Sequence, residues 1–295
     1  MGNVNRFDVA DQRAQALTAA SEAIARGECI VLPTDTVYGI AASALQPVAI
    51  ARLLAAKQRG RDMPPPVLIA EPAMLAALTD DIPYFVTRLA EHCWPGALTL
   101  ILRAQDSLNF DLGETSGTIA VRVPDHEFTR ELLRHTGPLA VSSANISGRE
   151  AATSIEEAIE MLGESVTVYL DDGTSPGGVA STIIDFVSTS TGRIVRKGAL
   201  SFETLSQWNS QLKDLPETAV SSTPSGEQIP DGAETEITTS QEESESDAAP
   251  TAEDGDELPE TGDVAEPAVQ SVVNDEVVKE AEGQSFSSDP TGTEA

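Results

Sequence analysis

The chain has 295 residues and a formal net charge of −30, with 48 acidic against 18 basic side chains. The excess is concentrated at one end: residues 1–213 hold 25 acidic and 17 basic side chains, whereas 214–295 hold 23 acidic ones and a single base, Lys279. Two cysteines, Cys29 and Cys93, exclude a disulfide framework and a Cys-x-x-Cys metal site, and the absence of an apolar h-region or of about 18 uninterrupted apolar residues excludes secretion and membrane spanning, which leaves the cytoplasm as the expected location.

Apolar positions Val9, Ala14, Leu17, Ala20 and Ile24, spaced mostly by three and four, predict an amphipathic helix over 9–26 that Gly27 stops. Cys29–Leu32 is a short apolar run cut off by Pro33, so it predicts a buried strand that delivers Thr34-Asp35-Thr36 into a loop. Residues 47–57 read as a second helix, with Pro47 in its first turn, Ile50, Leu53 and Leu54 on the inner face and Lys57 in its last turn. Pro64-Pro65-Pro66 forbids helix and leads into a strand at 67–69.

Helical patterns follow at 72–78 and 83–92, a turn at Trp94-Pro95-Gly96, strands at 97–102 and 118–123, and a helix at 126–135. A strand at 139–141 then feeds a Ser/Asn loop, 142–148. A helix at 155–162, strands at 166–170, 182–186 and 193–196, and a last helix at 202–212 complete the pattern. Several strands follow one another without a helix between them. The expected fold is therefore α/β, verging on α+β, with a twisted mixed sheet flanked by helices. Residues 1–213 suit one domain, or a single domain with lobes. Residues 214–295, dense in Ser, Thr, Pro, Gly and acids with Phe286 as the single aromatic, are expected to form a disordered acidic tail.

Lys57-x-Arg59 sets two cations at a helix end, where the negative helix terminus alone would favour them. With Arg61 close by and a stiff proline run after it, the pair also suits phosphate binding. Ser143-x-Asn145 serves either as an ordinary strand-to-loop turn or as a loop that closely approaches a polar ligand. Asp35 or Thr36 could cap a helix. Arg122 interrupts an apolar strand and needs a partner, either a substrate carboxylate or a structural acid. The oxygen-rich run 171–178 reads as a surface turn before a metal site, and His92, His126 and His135 share no ligand spacing. Phosphate-binding, dinucleotide and zinc-protease signatures are absent from the sequence. What remains, fixed cations with hydroxyls and amides, matches phosphoryl or nucleotidyl transfer, which depends on positioning and charge stabilisation.

Taken jointly, Pro33-Thr34-Asp35-Thr36-Val37-Tyr38-Gly39, Lys57-x-Arg59, Trp94-Pro95-Gly96-Ala97-Leu98-Thr99, Val121-Arg122-Val123-Pro124 and Ser143-Ala144-Asn145-Ile146-Ser147-Gly148 resemble the YrdC-like family over about residues 15–200. Gly177–Thr182 and Ile194–Gly198 extend the likeness. That family contains the threonylcarbamoyladenylate synthases. The resemblance implies a mixed sheet around a broad electropositive cavity in which L-threonine, bicarbonate and ATP give threonylcarbamoyl-AMP and pyrophosphate. It further implies Mg2+ accompanying the nucleotide, no resident metal, a downstream tRNA threonylcarbamoyl transferase that modifies adenosine 37, and room for a direct tRNA contact. Carried over by position, Lys57, Arg59, Ser143 and Asn145 are the catalytic set. Arg59, Thr118, Ser143 and Arg196 bind ATP, and Thr36, Arg122 and the backbone of Val141 bind threonine, with Arg122 as the carboxylate clamp. Gly60, Met63 and Leu68 stand where many members have Pro, Asn and His. The longer members carry a second globular domain where this chain has its acidic segment. The rival reading is a paralogue that binds RNA or another nucleotide without making this product.

Overall fold

The computed structural model describes residues 4–215. The acidic segment read as disordered lies outside the described residues except for Asp214, whose carboxylate accepts from Lys197 at 3.0 Å, and Leu215, which packs against the core. In chain order the described elements are β1 (Asn5–Asp8), α1 (Arg13–Ala25), β2 (Ile30–Leu32), β3 (Gly39–Ser43), α2 (Pro47–Ala56), β4 (Val67–Leu68), α3 (Tyr84–Cys93), β5 (Leu98–Arg103), β6 (Thr118–Arg122), α4 (Glu127–Thr136), β7 (Leu139–Ser143), α5 (Ile155–Leu162), β8 (Val168–Asp171), β9 (Thr182–Asp185), β10 (Arg193–Arg196) and α6 (Phe202–Ser206).

All ten strands join one mixed sheet in the order β1-β8-β2-β3-β7-β4-β6-β5-β9-β10. The pairs β1/β8, β8/β2, β4/β6 and β5/β9 are parallel and the others antiparallel. Alternation along each strand sends successive side chains to opposite faces. One face presents Val31, Ile40, Val67, Leu100, Val121 and Ile184 to α2, α3 and α5. The other presents Ile30, Leu32, Ala41, Leu68, Leu139 and Val141 to α1 and α4. Those two helices stop at β4, so on their face no helix among the described residues covers β6, β5 and β9.

Local chemistry explains the helix ends. Ser154 and Glu157 form a reciprocal capping box at the start of α5. Pro47 opens α2, where its missing N–H costs nothing. The helix predicted from Val9 begins at Arg13, because Asp8 captures the chain first: its Oδ1 accepts from Asp11 N at 2.9 Å and its carbonyl from Gln12 N at 2.9 Å. The last helix is also shorter than predicted. Asn209 ends it by donating through Nδ2 to Thr191 O at 2.7 Å and accepting from Gln211 N at 3.1 Å. Residues 72–77 form a 3₁₀ turn instead of an α-helix. Strands β1 and β3 were not predicted, and β7 runs two residues past Val141 to Ser143, so both serines belong to the strand.

Leu100 lies in the middle of β5 and is fully buried among the helix-covered face. Leu100→Ala should cost about 2–5 kcal/mol, read as a lowered urea midpoint with an unchanged slope.

Candidate active site

The uncovered part of the second face is a cleft of about 370 Å³. Its floor is the alternate residues of neighbouring strands: Thr118, Ala120 and Arg122 of β6, Thr99 and Ile101 of β5, Ile183 of β9, Val141 and Ser143 of β7, and Leu68 of β4. Its walls are the Thr34–Gly39 loop, Pro64–Pro66 and Arg59, with Ser181 and Arg196 opposite. Seven of the nine residues singled out from the sequence line it, namely Thr36, Arg59, Thr118, Arg122, Val141, Ser143 and Arg196. Lys57 and Asn145 do not.

Lys57 and Arg59 part company at Gln58, whose φ of 52° reverses the backbone just after α2. Lys57 turns inward and is 2 % exposed. Its Nζ donates to Ser143 O at 2.5 Å, Asn145 O at 2.8 Å and Asn145 Oδ1 at 3.3 Å, while its own carbonyl accepts from Ser147 N at 2.9 Å. All three ammonium protons are thus spent on the end of β7 and the loop after it. Asn145 completes the knot, donating through Nδ2 to Ile146 O at 2.9 Å and Arg149 O at 2.7 Å. Both residues therefore stand behind the wall and shape it. The sequence spacing suggested phosphate contact for Lys57; the left-handed residue between the two cations is what removes it from the cleft.

Arg59 faces the cleft, donating through Nη1 to Ser142 Oγ at 3.2 Å. Its Nε is buried with no acceptor among the described residues, a state that normally signals a missing partner. Arg122 has the structural acid that was one of its two readings. Nη2 pairs with Asp35 Oδ1 at 2.6 Å, Nη1 donates to Thr36 Oγ1 at 2.9 Å and Nε to Gly96 O at 2.9 Å. A guanidinium has five N–H donors, so two remain for a ligand. Arg196 donates through Nε and Nη2 to Ser181 O at 3.1 and 2.7 Å, and from Nη2 to Ser181 Oγ at 3.0 Å.

The three guanidiniums act on one another. Burial lowers the pKa of each. For Arg196 the positive charges of Arg122 and Arg59 lower it further. Three cations offset by Asp35 at Arg122 and Asp62 near Arg59 raise the local potential, and an anion entering the cleft relieves it. In the 171–178 segment Asp171 pairs with Arg6 and Asp172 with His126, and among the described residues no group of three His, Cys, Asp or Glu is placed to hold a metal ion. Sequence reasoning missed Thr99 and Ser181, whose hydroxyls pair at 2.8 Å on the cleft floor. Their signal was the alternation of β5 and the Ser-Thr ahead of β9.

A family model for Sua5, YciO and YrdC, described as telomere recombination, matches residues 22–198. Over 197 residues the chain is 47% identical to a Mycobacterium leprae protein provisionally named threonylcarbamoyl-AMP synthase, covering 66% of this chain and 89% of that one. It is 34% identical over 194 residues to the threonylcarbamoyl-AMP synthase of Pyrococcus abyssi, covering 65% of this chain and 57% of the relative. The crystal structure of P. abyssi Sua5 complexed with L-threonine matches with a TM-score of 0.69 at 30% identity, over 76% of this chain and 66% of that one.

Burial, and after it the Arg59 charge, pushes the Lys57 ammonium down to about 8 from 10.5. Below pH 8 both folded and unfolded chains hold this proton and the cost of burying the charge is present in full. Between pH 8 and 10.5 only the unfolded chain holds it, so the Lys57 contribution makes stability rise with pH across that window. Comparing urea midpoints at pH 7.5 and 9.5, the difference should be smaller in Lys57→Met than in the wild type.

Proposed function

The chain belongs to the Sua5–YciO–YrdC family, and on that footing we propose that its cleft makes L-threonylcarbamoyladenylate from L-threonine, bicarbonate and ATP. The observation that carries this reading is the convergence of Arg59, Arg122 and Arg196, from three distant parts of the chain, on one hydroxyl-lined cleft. Every reactant but the amine is an anion, so mutual repulsion is the obstacle the site must overcome.

The free amine of threonine forms a bond to the carbon of bicarbonate, water leaves, and a carbamate results. A carbamate oxygen then attacks the α-phosphorus of ATP, and the bond from that phosphorus to the bridging oxygen breaks, its electron pair departing with pyrophosphate. Cations fixed in place beforehand stabilise the charge of this displacement without reorganising. Arg122 offers its two remaining N–H donors to the threonine carboxylate beside Thr36 and the Val141 backbone. Arg59, with its unpartnered Nε, and Arg196 receive the phosphates. The Ser143 and Thr118 hydroxyls orient the nucleotide, and Lys57 with Asn145 positions Ser143 from behind.

The chain supplies guanidiniums where a metal enzyme would supply carboxylates, so Mg2+ enters as the counter-ion of the ATP substrate. The product is a mixed anhydride of a carbamic and a phosphoric acid, a reactive acyl donor, and a tRNA threonylcarbamoyl transferase is the consumer that suits it. No helix among the described residues is long and apolar enough to cross a membrane. Cys29, its thiol pushed up to about 12 by burial, and Cys93 are free thiols, in keeping with a reducing cytoplasm.

Purified protein should release pyrophosphate from ATP only when both threonine and bicarbonate are present; release that ignores both would overturn the reading. In the same assay Arg59→Gln should lower kcat/KM for ATP by about 10²–10³, the effect of removing one fixed donor from a charge-stabilising site. Arg122→Lys, which keeps the charge and loses the planar fork, should raise the KM for threonine about ten-fold and leave that for ATP nearly unchanged.

A further inference from the structure

Outside the cleft, on the far side of the Thr34-Asp35-Thr36 turn, lies the 172–178 segment, and we propose that Ser175 in it is a positioning residue for threonine binding. The inference rests on the reaction proposed above and adds to it a residue that touches no substrate.

The turn has two sides. On the inner side Thr36 Oγ1 and Asp35 Oδ1 accept from Arg122 at 2.9 and 2.6 Å and so set the direction of its fork. Within the turn, Thr34 Oγ1 accepts from Thr36 N at 3.1 Å and donates to Val37 O at 2.6 Å. These local bonds shape the turn but do not fix where it sits. On the outer side, Thr36 O accepts from Ser175 Oγ at 2.8 Å and from Gly178 N at 2.8 Å. Between them Gly177 lies so close that an added Cβ would stand 2.6 Å from Asp35 O. The segment thus seats the backbone of both residues that aim Arg122.

The segment is itself anchored both to the end of the same loop and to parts of the fold outside it. Ser175 N donates to Thr153 O at 2.7 Å. Tyr38 Oη donates to Gly173 O at 2.6 Å and accepts from Asp172 N at 3.0 Å, and Asp172 reaches His126 at 2.9 Å. A seat held from outside the loop at Thr153 and His126 transmits rigidity to the turn, and a carboxylate clamp needs that rigidity because a misplacement of about 1 Å costs much of the gain from orientation. The nucleotide end, at Arg59 and Arg196, has no contact with Ser175, so its loss should be felt at one substrate alone.

The test is steady-state pyrophosphate release with threonine and ATP varied in turn, together with calorimetric titration of threonine, on the full-length chain. Ser175→Ala should raise the KM and Kd for threonine about five-fold, the scale of one lost hydrogen bond, with the KM for ATP unchanged. Ser175→Thr, which keeps the hydroxyl, should restore both, and Gly177→Ala should reproduce the selective loss. Unchanged threonine binding in Ser175→Ala, or equal losses toward threonine and ATP, would overturn the proposal. A wild-type chain with no threonine-dependent release would instead remove the underlying reaction, and the proposal with it.

Discussion

A ten-stranded sheet has two faces to cover, and the helices among the described residues cover one face and half of the other. Everything functional follows from that shortfall. Where α1 and α4 stop, the floor residues change from Leu139 and Leu68 to Arg122, Thr118 and Thr99 without any change in strand geometry. The pleat that buries apolar side chains under a helix presents polar ones to a ligand a few ångströms further along. The site is a continuation of the core pattern with different residues.

Charge is handled in the same economical manner. Arg122, 6 % exposed, has a counter-ion in Asp35, which keeps a buried cation tolerable. Lys57 is as deeply buried and has no carboxylate at all; three carbonyl and amide oxygens serve instead. Arg59 makes no ion pair among the described residues and feels an acid only through the charge of Asp62, and its Nε has no acceptor there. This gradation separates surroundings: Arg122 is matched by an acid, Lys57 by carbonyl and amide oxygens, and the Arg59 Nε by no hydrogen-bond acceptor among the described residues.

Much of this was legible in the residues. Strands that follow one another without a helix between them foretold the mixed sheet, and the joint motifs pointed to the cleft residues. What escaped had identifiable causes. Strand β1, Asn5-Arg6-Phe7-Asp8, is a polar edge strand whose partner is β8, some 160 residues away, and whose Arg6 pairs with Asp171; no local pattern encodes that. Strand β3, Gly-Ile-Ala-Ala-Ser, is mostly small residues with a weak strand signal, and its glycine is required because a Cβ at Gly39 would lie 2.6 Å from Val141 Cγ1. Lys57 and Arg59 share a motif, yet the backbone reversal at Gln58 gives them opposite directions, and nothing in a one-dimensional spacing reports a positive φ. The partner of Arg122 was left open between substrate and structural acid; Asp35, 87 positions upstream, could be found only by folding the chain.

The strand order also has a kinetic reading. Strand β8 inserts between β1 and β2, and β9 closes against β5, so the sheet is stitched by pairings that span much of the chain. Such non-local pairing slows folding, since long loops must close before their contacts reward them. During synthesis the early strands leave the ribosome without their neighbours, and Arg196, on the last strand, emerges after every other wall is made. A nascent chain therefore holds no assembled pocket until its folded part is nearly complete, and premature turnover on a half-built site is avoided by topology alone.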